Sequence, residues 1–279
     1  MREIRKFNPD LIVSDFEPAG ITAAKLLGKK CIVIFGYNPE LLKEYTKTNK
    51  LSKKCWFEAR YFESLYDKAD FVIIPTLLGL KRQEILYHYV NPVIRKEPAD
   101  LASNKTIMTR LKLKKEPIVV MLGGSDFGLK LAKGISKIAH KLNEQFIVFG
   151  SHKQLPASKN FKHKRFAPDF LDYLKVSKAV ITLGGQKMLS ECLAFKKPML
   201  VFPIQDHVEQ LMNAYSLRSV AVVGNKSTGS GLEKEVRLFI KNIPKLKEKM
   251  DSLDLNFNGA EQIAQVLIDL SSSKRSAKK

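Results

Sequence analysis

The sequence predicts an α/β protein with two Rossmann-like domains, the first of them incomplete. Three observations carry this. Short apolar runs alternate with helix-length amphipathic segments from end to end, the pattern of parallel strands joined by crossover helices. Two of those runs end in glycine pairs, residues 118–122 before Gly123-Gly124 and residues 179–183 before Gly184-Gly185, about sixty residues apart, as two βα turns of one sheet would be. Around residues 90–95 the alternation stops, and a loose polar segment runs to about Lys115.

In order along the chain, Leu11-Ile12-Val13 forms the first strand, ending at Ser14-Asp15, and a helix follows from about Pro18 to Leu27. Residues 31–35 form the next strand. Gly36-Tyr37-Asn38-Pro39 then turns the chain into a polar helical stretch. Residues 56–68 are spaced as an amphipathic helix, and residues 71–75 as a strand. Three strands are too few for a complete doubly wound domain. The second α/β unit opens with the strand at 118–122, the turn Gly123-Gly124-Ser125 and a helix at about 127–142. A strand at 146–149 ends at Gly150, and the basic stretch 162–165 leads into Phe166-Ala167-Pro168-Asp169, a turn into a short helix. After the strands at 179–183 and 198–202, the last strand-like run is 220–223. Two helices close the chain, at about 232–250 and 259–270, and the small, polar, basic tail 271–279 is expected to be disordered.

With 279 residues, 44% of them hydrophobic, the chain can bury ample core. Cys31, Cys55 and Cys192 have neither metal-ligand spacing nor an even count, which suits a reducing compartment without a disulfide framework. The longest apolar run, residues 71–80, is interrupted by Pro75 and Gly79 and falls far short of the roughly 20 residues of a membrane span. The first residues lack the apolar core of a signal peptide. A cytoplasmic protein is therefore expected. Its formal charge of +20 is extreme. A Lys-rich solvated surface accounts for it; so does attraction to an anionic membrane face, which makes peripheral contact at the inner leaflet the expected alternative. Nucleic acid is not expected, because no zinc-knuckle or RNP-like motif accompanies the charge.

Residues 183–214 say most about chemistry. A strand running into Gly184-Gly185 and then a helix places backbone N–H groups where they can face an anion. Glu191 follows Gly184 by about two helical turns, which returns its carboxylate to the face where the loop opens and where a diol could be held. After the strand at 198–202 comes Pro203-Ile204-Gln205-Asp206-His207-Val208-Glu209-Gln210, with Asn213 one turn on, so Glu209, Gln210 and Asn213 can converge on a hydroxyl-rich ligand.

Gly-Gly, a helical Glu, Pro, then Glu-Gln-x-x-Asn-Ala resembles the donor-site signature of two-domain GT-B glycosyltransferases. It is most similar to the transferases that add N-acetylglucosamine to the lipid-linked peptidoglycan precursor, and to their archaeal relatives. The resemblance implies that Glu191 holds the ribose hydroxyls, that Gly184-Gly185 faces the diphosphate, and that Glu209-Gln210 binds the donor sugar; Gln186, Gln205, Asp206 and Asn213 beside them are further donor-binding candidates. Two glycine turns in one sheet point to a split diphosphate site that Gly123, Gly124 and Ser125 complete, and the resemblance implies that Phe166-Ala167 meets the base. Asn91-Pro92-Val93-Ile94-Arg95 resembles the family's crossing between domains. Residues 1–95 are therefore expected as a partial acceptor-side domain, residues 96–256 as the donor-binding domain, and residues 257–270 as a helix crossing back to the first.

Each of these residues has a plainer reading. Glu191 could be a solvent-facing helical Glu, expected on or near an exposed edge because Leu189, Cys192 and Leu193 face the core. The glycines could be simple turn residues. His207 is an acid–base candidate or a polar loop residue. Asp15 and Glu17 are catalytic candidates or a strand-end turn with a helix cap. A complete first domain would hold roughly 150 residues; the opening strand and glycine-rich loop of resembling enzymes are not found here. The expected function is inverting transfer of a sugar from a UDP-sugar, UDP-N-acetylglucosamine being the first choice, to an acceptor that could be lipid-linked. No metal or other cofactor is expected. The alternatives are a nucleotide-sugar epimerase on the same fold and a donor-binding subunit inactive without a partner chain that completes the first domain.

Overall fold

Strands that are apolar on both faces need cover on both sides, and this chain supplies it with helices between the strands. The structure, a computed structural model, describes residues 1–78, 86–123, 128–150 and 153–272. Two units divide the chain: Met1–Val93, Asp206–Met212 and Asn256–Lys279 form the first, Ile94–Gln205 and Asn213–Leu255 the second.

The first unit holds helix α1 (Arg2–Phe7), strand β1 (Leu11–Ser14), α2 (Pro18–Leu26), β2 (Lys30–Ile34), α3 (Pro39–Thr46), α4 (Lys53–Tyr66), β3 (Phe71–Pro75) and β4 (Tyr87–Val90). Its sheet is parallel in the order β1-β2-β3-β4, so each step needs a crossover. Three helices start at side-chain caps that the sequence spells out: Glu17 for α2, Asn38 for α3 and Ser52 for α4 each accept a backbone N–H of the first turn, and Pro18 and Pro39 take the first helical positions. Alternate residues Cys31, Val33, Val72 and Ile74 are buried on one face, and Ile32, Ile73 and Val90 on the other. That second face is covered by the last helix of the chain, given below. β4 was not foreseen. Its sequence Tyr-His-Tyr-Val is short and carries one polar residue, and it gains strand character by pairing with β3.

The second unit runs through α5 (Asn104–Arg110), β5 (Ile118–Met121), α6 (Leu129–Ile138), β6 (Phe146–Phe149), β7 (Phe161–Lys164), α7 (Phe170–Val176), β8 (Ala179–Thr182), α8 (Gln186–Ala194), β9 (Met199–Val201), then α9 (Val208–Ser216), whose first turns belong to the first unit, β10 (Val222–Val223) and α10 (Gly229–Asp251). The sheet order is β10-β9-β8-β5-β6-β7, all parallel. Read from the β7 edge this is the Rossmann order, which runs one way from β5 and the other way from β8. Ile118, Val120, Phe146, Ile181 and Leu200 face a core closed by Leu131 and Ile135 of α6 and by Leu232, Val236 and Phe239 of α10. Gly134 permits that approach, since a Cβ there would stand 2.7 Å from the Ser227 carbonyl oxygen and 2.6 Å from Leu232 Cδ2. β7, read from the sequence only as a basic stretch, is an edge strand whose lysines point to water, the usual protection of an open edge. The segment expected to be loose contains α5, capped by Ser103.

The chain ends in α11 (Gly259–Ser272), which returns to the first unit: Ile263, Val266, Leu267 and Leu270 pack against Ile32, Ile73 and Val90. From residue 273 the expected disordered tail lies outside the described residues. All three cysteines are free and buried, and burial pushes each thiol pKa up. No helix among the described residues is long and apolar enough to cross a membrane.

Candidate functional site

Where neighbouring strands lead their connections to opposite sides of a parallel sheet, a crevice opens outside their carboxyl ends. In the second unit that place lies between β5 and β8, tied together by the Thr182 hydroxyl donating to the Met121 carbonyl at 3.1 Å. A cavity of about 770 Å³ opens there. Its floor is made by strand ends: Met121 and Gly123 after β5, Phe149 and Gly150 after β6, and Gly185 after β8. Arg165, Phe166 and Ala167 come from the turn after β7, Phe170 from α7, and Gln186, Lys187, Met188 and Glu191 from successive turns of α8. Arg95 completes the wall.

Glycine is used here for access. Gly123 has φ of 74°, a left-handed conformation that disfavours any side chain, and a Cβ on Gly123 or Gly185 would meet nothing among the described residues within 4 Å. Both backbones therefore lie open to the cavity. Gly185 is the N-cap of α8, and no side chain caps it, so the positive end of the helix dipole faces the same space. Gly184 is buried, and its carbonyl accepts from the Asn213 amide at 3.0 Å. Asn213, assigned by sequence to the sugar, thus shapes the glycine loop. Gly124 and Ser125 lie outside the described residues.

Glu191 corrects one expectation. It is 1% exposed, where an exposed edge was expected. The reason is a partner: Arg95 Nε lies 2.5 Å from Oε1 and Nη2 lies 2.9 Å from Oε2, a two-pronged ion pair. A nearly buried carboxylate without such a partner would be costly. Those hydrogen bonds hold the Arg95 guanidinium above its usual pKa, against the opposing pull of desolvation. Arg95 also sits over the Phe170 ring, 5.8 Å from its centroid. Sequence reading placed Arg95 at the domain crossing and gave it no role in the site; only long-range folding brings residue 95 beside residue 191. It also passed over Arg165 and Lys187, whose residue types are common on ordinary surfaces, and Phe170, whose type is ordinary in a core.

Phe166 is 83% exposed, a flat aromatic wall whose cavity face is open. The cavity thus joins an aromatic wall, one oriented carboxylate, and two open glycine backbones beside a helix start with three cations, Arg95, Arg165 and Lys187. An aromatic base, a diol and a diphosphate need those three surfaces. Among the described residues no three His, Cys, Asp or Glu side chains gather where a metal could sit.

The other candidates, apart from Gln205 at the end of a second-unit segment, belong to the first unit, and its geometry gives several of them structural partners. The Glu17 carboxylate accepts from the Ala19 N–H at 3.1 Å, capping α2, and Asp15 is exposed beside it. Asp206, at φ of 63°, accepts from the Ser52 hydroxyl at 2.7 Å and lies 3.5 Å from Lys54 Nζ. His207 Nδ1 is 3.7 Å from Glu58 Oε2, and the Glu58 carboxylate also accepts the Val208 N–H at the start of α9. Glu209 and Gln210 are buried in the first turn of α9, and Gln205 is exposed before it.

Residues 1–244 match the family described as glycosyl transferase family 1. The chain belongs to glycosyl transferase family 1. An uncharacterized glycosyltransferase of Methanopyrus kandleri is 26% identical over 223 residues, covering 76% of this chain and 62% of that protein. The chain spans about three fifths of the length of the curated relatives it matches. Among solved structures, Acinetobacter baumannii MurG superposes with a TM-score of 0.60 at 13% identity, over 96% of this chain and 76% of that one. The glycosyltransferase VinC in complex with dTDP gives 0.54 at 16%, over 95% and 73%. These likenesses are of fold: the family 1 chain described here has the two-domain GT-B fold, its first unit the shorter.

Proposed function

We propose that this chain binds a UDP-sugar in the β5–β8 cavity and transfers its sugar, with UDP-N-acetylglucosamine the first donor to try. The observation that carries the reading is Glu191, nearly buried, oriented by Arg95 and lining a cavity that also offers an aromatic wall and an open glycine backbone. In this reading Phe166 takes one face of the uracil, Glu191 accepts from the ribose hydroxyls, and the diphosphate lies against Gly123, Gly185 and the start of α8. As the bond from the sugar anomeric carbon to the diphosphate oxygen breaks, negative charge grows on that oxygen. The α8 dipole and nearby cations oppose it without a metal. Incubation with UDP-N-acetylglucosamine and a lipid-linked acceptor, followed by product analysis, tests the reading: a glycosylated acceptor and UDP are expected, and an isomerised nucleotide sugar would mean epimerisation instead.

A second reading is a donor-binding chain that needs a partner polypeptide to place the acceptor. Binding of UDP without turnover, restored to transfer by a partner, would select it.

For a lipid-linked acceptor we further propose peripheral attachment through α4. Trp56, Phe57 and Tyr61 are 49%, 65% and 50% exposed there, on the helix that also carries Lys53, Lys54 and Arg60. Aromatic rings with flanking cations suit the interface of an anionic bilayer. Cosedimentation with phosphatidylserine vesicles is expected at low salt, falling steeply as salt rises, because charges beyond a Debye length of about 8 Å are screened at physiological ionic strength. Equal binding to neutral vesicles would overturn it.

A further inference from the structure

We infer that a second binding site, for a ligand carrying several phosphate groups close together, lies at the amino ends of β5, β6 and β7. A cavity of about 560 Å³ opens there, at the end of the parallel sheet opposite the β5–β8 cavity. Lys112, Lys114 and Lys115 line it from the segment between α5 and β5, and Lys159 and Lys162 from the start of the edge strand β7. Asn143, Gln145 and Asn160 supply the rest of the wall, so five lysines share it with neutral amides and, among the described residues, with no carboxylate. The nearest acidic residues in sequence, Glu116 and Glu144, do not line it, and Glu144 is held by Lys178 at 2.6 Å. Lys115 donates to the Asn143 carbonyl at 3.2 Å. Lys112, Lys114, Lys159 and Lys162 are exposed and pair with no carboxylate among the described residues. The groove between α6 and α10 shows the contrast: there Lys141 meets Glu233 at 2.9 Å, as charges on an ordinary solvated surface do. Like charges gathered around a concavity repel one another and focus a positive potential on the space between them. A phosphate group brings at most about two negative charges, so this wall matches a ligand with two or three of them. No aromatic ring lines the cavity, so nothing there favours the stacked bases of a single-stranded nucleic acid. Clustered phosphates are the chemistry, and a soluble polyphosphate and the headgroup of a phosphorylated lipid both present it.

The test is calorimetry of the full chain with inorganic tripolyphosphate and with inositol 1,4,5-trisphosphate, a soluble lipid headgroup, with excess UDP present to compete for the β5–β8 cavity. One variant carries Lys112→Gln, Lys114→Gln, Lys159→Gln and Lys162→Gln. A control carries Lys68→Gln, Lys234→Gln, Lys241→Gln and Lys245→Gln, at exposed lysines elsewhere, and so has the same net charge. The wild type is expected to bind at least one probe, and the tighter of the two names the source of the phosphates. With each exposed lysine contributing roughly threefold, the first variant should bind about a hundredfold more weakly, and the control within about threefold of the wild type. Binding should also fall as salt rises, since exposed charges are screened. Thermal unfolding confirms folding; removing like charges should leave the midpoint of the first variant unchanged or slightly raised. Equal weakening in the two variants would mean that net charge acts rather than a site, and would overturn the inference. Unchanged binding in the first variant, or binding of neither probe by the wild type, would overturn it as well. None of these outcomes bears on the donor-site reading, because both variants leave the β5–β8 cavity intact.

Discussion

Glu191→Gln is expected to weaken UDP binding by about two orders of magnitude in a protein that remains folded. A hydrogen bond to a charged group contributes about 1.5–3 kcal/mol, and two hydroxyls meet this carboxylate in the proposed complex. Part of that is returned when the free ligand is hydrated, so about 3 kcal/mol, or somewhat over a hundredfold, is the net expectation. Glutamine keeps the volume of the side chain, so α8 and the apolar contacts around Leu189 and Cys192 are undisturbed. Its NH2 group, however, meets a second donor in Arg95, whose fork was built for two acceptors. Arg95 is about half exposed in its side chain and can turn to water, so the loss of stability should be small beside the loss of binding. Calorimetry with UDP and a thermal scan of the same sample measure both. Unchanged affinity in a folded variant would remove Glu191 from the site.

That carboxylate also marks where sequence reasoning reaches and where it stops. Local signals were legible: strands at Ile118–Met121 and Ala179–Thr182 ending in glycine, the caps of α2 and α3 with their prolines, and the two-turn spacing from Gly184 to Glu191. The edge elements were not. β7 hides its strand character behind lysines that an edge requires, and β4 is four residues long and takes its form from its neighbour. Burial of Glu191 was misjudged for a related reason. Helical spacing tells which face a residue occupies, but the cost of burying a charge depends on a partner that stands 96 residues away in sequence. Likewise Asp206–Met212 reads as continuous with the strand before it, yet Ser52, Lys54 and Glu58 engage its first residues, which places it with the first unit. The basic charge was visible at once. Its use was not, because a lysine on a solvated face and one that meets an anion look the same in a sequence.

The second large effect is expected at the start of α11, where Gly259→Ala should cost about 3 kcal/mol and lower the unfolding midpoint of the first unit by several degrees. α11 covers the face of the sheet formed by Ile32, Ile73 and Val90, so the fit of its first turn decides how well that face is sealed. The junction is held tightly to the chain leaving β4. Asn258 bridges to Val93, the Asn91 amide donates to Asn258 Oδ1 at 2.7 Å, and the Asn91 N–H donates to Gln262 Oε1 at 2.7 Å. In that geometry a Cβ on residue 259 would stand 2.0 Å from the Asn91 carbonyl oxygen and 2.9 Å from that of Pro92. Both are backbone atoms, so no side-chain rotation relieves the clash; either the first turn of α11 lifts or residues 91–92 move, and the hydrogen bonds made there are lost with the displacement. Gly185→Ala is the matched control, because a Cβ there meets nothing among the described residues within 4 Å and its backbone, at φ of −69°, accepts any residue. It should leave the midpoint nearly unchanged. Thermal unfolding of the two variants side by side makes the comparison, and equal midpoints would mean that α11 is not seated against Asn91 in the way this geometry requires.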